Sequence, residues 1–248
     1  MSGHNKWAKV KHVKAKQDAI RGRIFTRLIK EITLAARNGG GDENSNARLR
    51  KAIQDAKAAN MPAANIERAI KRGTGELEGV SYEEATYEGY GPGGAALIVE
   101  VVTDNKNRTV ADIRHLFSKH GGNMAESGAV AWMFEKKGIF TVTTGGRSED
   151  ELLEAVIDAG AEDLKYDPES SDILSAPADF EAVKASLEKK GIAIEKAEVG
   201  MYPKNTVKVD GNDAVRLLKL MDVLDEHDDV QHVYSNFDIA DEVMSQLE

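Results

Sequence analysis

Apolar residues recur at helical spacing from Asp18 onward. Ile20, Ile24, Phe25, Leu28, Ile29, Ile32, Ala35 and Ala36 fill one half of a helical wheel. Arg23, Arg27, Lys30 and Arg37 gather in a narrow arc of the other half, while Arg21, beside Gly22, falls on the apolar side and breaks the pattern. Asn38-Gly39-Gly40-Gly41 predicts the stop of this helix. A second helix is expected to start after Asn44 or Ser45, either of which can cap it, and to run to about Ala59. A third has Pro62 in its first turn and Gly73 past its end. Residues 1–16 show no apolar face and read as an arm bearing Lys6, Lys9, Lys11, Lys14 and Lys16, with Trp7 and His12 among them.

Past a linker at Gly73–Ser81 the period changes. A strand candidate at Thr86–Tyr90 and then Ala95–Thr103 precedes a helix from about Asn107 to His120. Strands are expected at Ala129–Phe134 and Gly138–Thr144, and Ser148 with Glu151 forms a capping box for the next helix. Short strands near Asp163–Tyr166 and Asp172–Ser175, a helix at Pro177–Lys190 and a strand at Ile194–Tyr202 follow. Thr206–Val209, a helix Asn212–Glu226 and a strand Val230–Phe237 close the chain. The order βαββαβ over 136–204 is a split βαβ unit of ferredoxin-like type. The flanking segments, 82–135 and 205–239, together make a second such unit interrupted by the first. The expected fold class is therefore multidomain α+β. A basic helical domain (1–75) precedes two ferredoxin-like domains, one (136–204) inserted in the other (82–135 with 205–239).

Charge changes this picture more than composition does. The 248 residues carry a net charge of −9, which by itself argues against a nucleic-acid partner. Residues 1–75, however, hold 17 Lys and Arg against 6 Asp and Glu, and the remainder holds 16 against 36. Such asymmetry points to a polyanion-seeking module joined to an acidic body. With no Cys, thiolate nucleophiles and thiolate metal sites are excluded. No apolar run fits a signal peptide or a membrane span, so a cytoplasmic protein without a membrane partner is expected.

Phosphate binding needs several surface cations at backbone spacing. The candidate nucleic-acid contacts are Lys6, Lys9, Lys11, Lys14 and Lys16 as a comb, with His12, and Arg23, Arg27, Lys30 and Arg37 as a fixed helix face. Trp7 is a candidate for stacking on a base. The same basic faces could instead dock on the protein's own acidic segments, although the composition favours phosphate. Asn105, Asn107 and Arg108, between a strand end and a helix start, are candidates for an anion or RNA loop, with helix capping the competing role. Gly89-Tyr-Gly-Pro-Gly-Gly94 lacks the Lys and Ser/Thr of a phosphate loop and reads as a tight bend. Asp222, Asp225, Glu226, Asp228 and Asp229 make an acidic helix end that reads as a solvated face, free for a protein partner. The six His do not form a metal or catalytic signature, so neither an enzyme nor a cofactor is expected.

These stretches resemble the YebC/PmpR family. The resemblance is carried by Gly3-His4-x-Lys6-Trp7 with Lys11-His12, Gln17-Asp18-Ala19 through Ile29, Ala59–Pro62 with Asn65–Ile70, and Tyr87–Gly94. Thr103-Asp104-Asn105 with Asn107-Arg108-Thr109, Gly121-Gly122-Asn123 and Met133-Phe134-Glu135 continue it. Val13 stands where the family often has a basic residue. The resemblance implies three domains and a non-enzymatic cytoplasmic regulator that binds DNA and controls transcription. Its alternative is a ribosome- or RNA-binding translation factor, because relatives include translational activators.

Overall fold

The computed structural model describes Trp7 and residues 17–240, with the side chains of Trp7 and of residues 21–240. Helix α1 (Gln17–Gly39) is the axis of the N-terminal unit, and α2 (Ala47–Ala58) and α3 (Ala63–Gly73) pack along one side of it. Ile32, Ala35 and Ala36 of α1 close on Leu49, Ala52, Ile53, Ala56, Ile66 and Ala69, as the periodicity of α1 requires. The cap of α2 is Asn46, one residue beyond the predicted pair. Its amide oxygen accepts from Leu49 N–H at 3.1 Å, and its Nδ2 donates to the Ala35 and Gly40 carbonyls at 2.8 and 2.9 Å. One buried side chain thus ends α1 and starts α2. Gly73 is the last residue of α3 and is set by contact: a Cβ there would lie 2.4 Å from the Thr33 carbonyl oxygen and 2.7 Å from Ala36 Cβ.

Strands β1 (Glu83–Tyr90) and β2 (Ala96–Thr103) form an antiparallel hairpin around the Gly91–Gly94 bend. The near-continuous aliphatic run of β2 has a simple cause. Leu97, Val99 and Val101 face one core, with α4 (Lys106–Lys119) and α7 (Gly211–Asp225), while Ala96 and Ile98 face a second, with Val130, Phe134 and Tyr234. The first sheet runs β3 (Asn123–Met124), β1, β2, β9 (Val230–Ser235), so a strand from the end of the chain completes it. β8 (Val207–Lys208) pairs in parallel with β10 (Phe237–Asp238).

The second sheet has the order β5 (Asp163–Lys165), β6 (Ser170–Ser175), β4 (Phe134–Thr143), β7 (Ile194–Pro203), all antiparallel. Helices α5 (Glu149–Asp158) and α6 (Phe180–Lys189) put Leu152, Val156, Val183 and Leu187 on Phe140, Val142 and Ile173. The Ser148/Glu151 capping box is formed.

The segment expected as a strand at Ala129–Phe134 differs. It is a loop and one 3-10 turn, Ala131–Met133, followed directly by the single long strand β4. Glu88, buried on β1, accepts backbone N–H bonds from Gly128, Val130 and Ala131 at 2.6, 2.7 and 2.8 Å, so these amides never enter a sheet ladder.

Candidate functional site

Helix α7 ends in acid. Asp222 and Asp225 lie in or beside its last turn, Glu226, Asp228 and Asp229 follow, and the last turn carries no base. Carboxylates at a helix C-terminus oppose the macrodipole and call for external cations. Helix α1 supplies them. Arg23 lies 3.4 Å from Glu226, and Arg27 Nη1 lies 3.3 Å from Asp225 Oδ1 while its Nη2 donates to the Asp225 carbonyl. Lys30 Nζ donates to the Asp228 carbonyl at 2.9 Å and to Asp229 Oδ1 at 2.6 Å. The indole of Trp7 is buried in the same core as α4 and α7, with Nε1 donating to Asp222 Oδ1 at 3.0 Å.

Asp229 is the centre of this junction. Its second oxygen accepts from Thr103 Oγ1, Thr109 Oγ1 and Arg108 Nη2 at 3.1, 2.7 and 2.8 Å. Burial works to raise its carboxyl, but Lys30, Thr109 and Arg108 outweigh that and hold it well below the ordinary carboxylate range. Arg27 is shifted the other way: burial, with Arg23 close by, brings it down to about 10 against the pull of Asp228, so it stays charged at neutral pH.

The structure distributes the expected contact residues over three situations. Trp7 and Lys30 are buried, and Arg27 is largely covered, so these groups meet carboxylates and carbonyls of the same chain. Arg23 is partly exposed beside Glu226, and Arg37 reaches Ser81 Oγ and the Tyr82 carbonyl. Lys6, Lys9, Lys11, His12, Lys14 and Lys16 lie outside the described residues. Within the chain, the α1 face engages the protein's own acidic helix end, whose carboxylates stand at matching spacing.

In the loop at 103–109 the capping role is formed. Asn105 is the N-cap of α4, accepting from Arg108 N–H at 3.1 Å, and Arg108 Nη2 lies 2.8 Å from both Asp104 Oδ1 and Asp229 Oδ2. Asn107 is exposed in the first turn. An incoming anion would meet two carboxylates there. The acidic end of α7, expected as a solvated face, is the seat of the N-terminal unit.

Sequence reasoning missed Glu88 and Asn46. A lone Glu inside a strand and an Asn after a glycine run give no signal until the loops they bind are folded. Among the described residues, Arg21, Arg50, Lys57, Arg68 and Arg72 are exposed cations of the helical unit outside any salt bridge. Arg50 also donates to the Glu43 and Asn44 carbonyls. Among the described residues no group of three or more His, Asp or Glu is placed to hold a metal ion, and no helix is long and apolar enough to cross a membrane.

Residues 5–76 match the TACO1/YebC N-terminal domain, and residues 82–237 match the second and third domains of TACO1/YebC. A protein of Desulforapulum autotrophicum called a probable transcriptional regulatory protein is 57% identical over 98% of each chain. One of the same description from Dictyoglomus thermophilum is 56% identical over the full length of both. The crystal structure of a conserved hypothetical protein from Aquifex aeolicus superposes with a TM-score of 0.81 at 50% identity, covering 93% of this chain and 96% of that one.

Proposed function

The chain belongs to the TACO1/YebC family, and from that premise we propose that it is a nucleic-acid-binding regulator of gene expression, a DNA-binding regulator of transcription that catalyses no reaction. The observation that carries this reading is the excess of 17 basic over 6 acidic residues in 1–75, on a unit whose α1 face is fixed internally while other cations stay outside. The docked face gives the unit a rigid seat. The outer cations Arg21, Arg50, Lys57, Arg68 and Arg72, with the lysine comb of residues 6–16, then supply the phosphate contacts. The names of the relatives, probable transcriptional regulatory protein, support the same class.

In this reading the domains are 1–75, 82–135 with 205–239, and 136–204, the last two ferredoxin-like units of which one is inserted in the other. The acidic surfaces of the second and third domains turn away from the polyanion and are open to a protein partner. The protein works in the cytoplasm. The test is crosslinking in cells followed by sequencing of bound DNA and bound RNA. Enrichment of fragments upstream of genes, over random genomic DNA, is expected. Reads confined to ribosomal or messenger RNA would end the transcription reading in favour of a translation factor.

A further inference from the structure

The acidic body carries a basic surface of its own. Helices α4 and α7 lie antiparallel: His227 Nε2 stands 3.6 Å from Asp112 Oδ2 at one end. His120, the C-cap of α4, lies within electrostatic reach of Lys219 in the middle of α7. His120 registers that proximity, since burial first, and then Lys119, Lys219 and His115, press its pKa below the ordinary value. His115, Lys119, Arg216 and Lys219 are exposed, and among the described residues Lys119, Arg216 and Lys219 form no salt bridge.

The neighbouring backbone is bare. Gly121 follows His120 directly, with φ +81, and a Cβ on Gly122 would lie 3.3 Å from Gly91 Cα, so the 121–122 turn stacks on the hairpin bend. That bend is seated on α7, where a Cβ on Gly91 would strike Leu217 Cδ1 at 2.7 Å. Gly93 and Gly94 both have positive φ, at +72 and +76, and Gly94 has open space beside it. Cations beside side-chain-free backbone allow close approach of a sugar–phosphate chain.

We propose that the His115, Lys119, His120, Arg216 and Lys219 face of the α4/α7 layer is a second phosphodiester-binding surface, which takes the same duplex DNA that the N-terminal unit holds. This rests on the nucleic-acid reading given above. Duplex DNA is the occupant because it is the partner proposed for the N-terminal unit, whose seat at Asp225 lies about 9 Å along α7 from Lys219 at 1.5 Å per residue. A duplex is stiff over that distance and carries a charge about every 1.7 Å, so it bridges both without being ordered first.

The test uses the full chain, a labelled mixed-sequence duplex of about 30 base pairs, and a single-stranded RNA of equal length. Lys119→Ala/Lys219→Ala is compared with wild type and with Lys6→Ala/Lys9→Ala/Lys11→Ala across a salt series. The double variant is expected to keep its melting temperature, since both lysines are exposed. Its duplex affinity should fall about tenfold or more, and the slope of log K against log salt should become shallower by about 2. Wild-type affinity and slope for the double variant, with loss only in the comb variant, would overturn the second surface and leave the nucleic-acid reading standing. Loss confined to RNA would overturn the duplex assignment. No binding of either probe by wild type would remove both readings together.

Discussion

Asp229 is a short side chain in a loop, yet it joins three parts of the chain: Lys30 of α1, Thr103 at the end of β2, and Arg108 and Thr109 of α4. Removing one member of a buried charged cluster leaves the others uncompensated, which costs about 3–5 kcal/mol. Asp229→Asn should lower the unfolding free energy by that amount in urea titrations. A change below 1 kcal/mol would mean that Lys30 finds another partner. The pH dependence follows from the depressed carboxyl. Asp229 binds its proton more weakly folded than unfolded, so its contribution is complete above the unfolded pKa of about 4 and is lost as pH falls through that value towards the lower folded one. Wild type should therefore lose stability below about pH 4 more steeply than Asp229→Asn. Glu88 acts locally by comparison. Glu88→Gln leaves one amide oxygen for three N–H donors and should cost about 1–3 kcal/mol. Hydrogen exchange should quicken at Gly128, Val130 and Ala131 while the amides of α4 keep their protection.

Elements here are ordered by close approach as much as by period. Helix α1 was legible from its apolar stripe, and α5 from its capping box, because both signals lie within a few residues. The position of α3 against α1 was not legible, although Gly73 was visible as a terminator. Its deeper role is that Thr33 and Ala36 leave no space for a Cβ. Gly73→Ala should cost about 1–3 kcal/mol by overpacking, read as a lowered melting temperature. Gly75→Ala, which meets no atom within 4 Å but has φ +83, separates backbone strain from crowding at the same helix end. Strand β4 shows the opposite error. Two strands were expected between 129 and 144 because the apolar residues fall in two groups. In the fold, Phe134 serves the first sheet's outer core and Phe140 with Val142 serves the second sheet's core. Residues 129–133 form the loop and 3-10 turn held by Glu88, and of the first expected strand only Phe134 belongs to β4.

At the scale of the whole molecule, the basic and acidic segments are first partners of each other. Arg23, Arg27 and Lys30 lie along α1 at spacings that match Glu226, Asp225 and Asp229. Arg48 adds a second tie, bonding Glu31 of α1 at 2.6 Å and Glu84 of β1 at 2.7 Å. Arg27→Glu should loosen the N-terminal unit, seen as a larger radius of gyration in solution scattering and faster proteolysis near residues 74–82. Adding Asp225→Arg should recover much of the compact state. A double variant as loose as the single would show that Arg27 acts through the Asp225 carbonyl and not through the ion pair.

Local periodicity, capping and turn chemistry in the sequence by themselves determined most helices and strands, the hairpin bend at Gly89–Gly94, and the division of charge between residues 1–75 and the rest. They act over a few residues, so the order of residues suffices to read them. Only the tertiary structure decided what each charge faces. Asp229 and Lys30 are 199 positions apart, and the basic residues of α4 and of the middle of α7 come near one another only when the two helices pack together. Coulomb energy depends on distance and burial, and neither exists until the chain has folded.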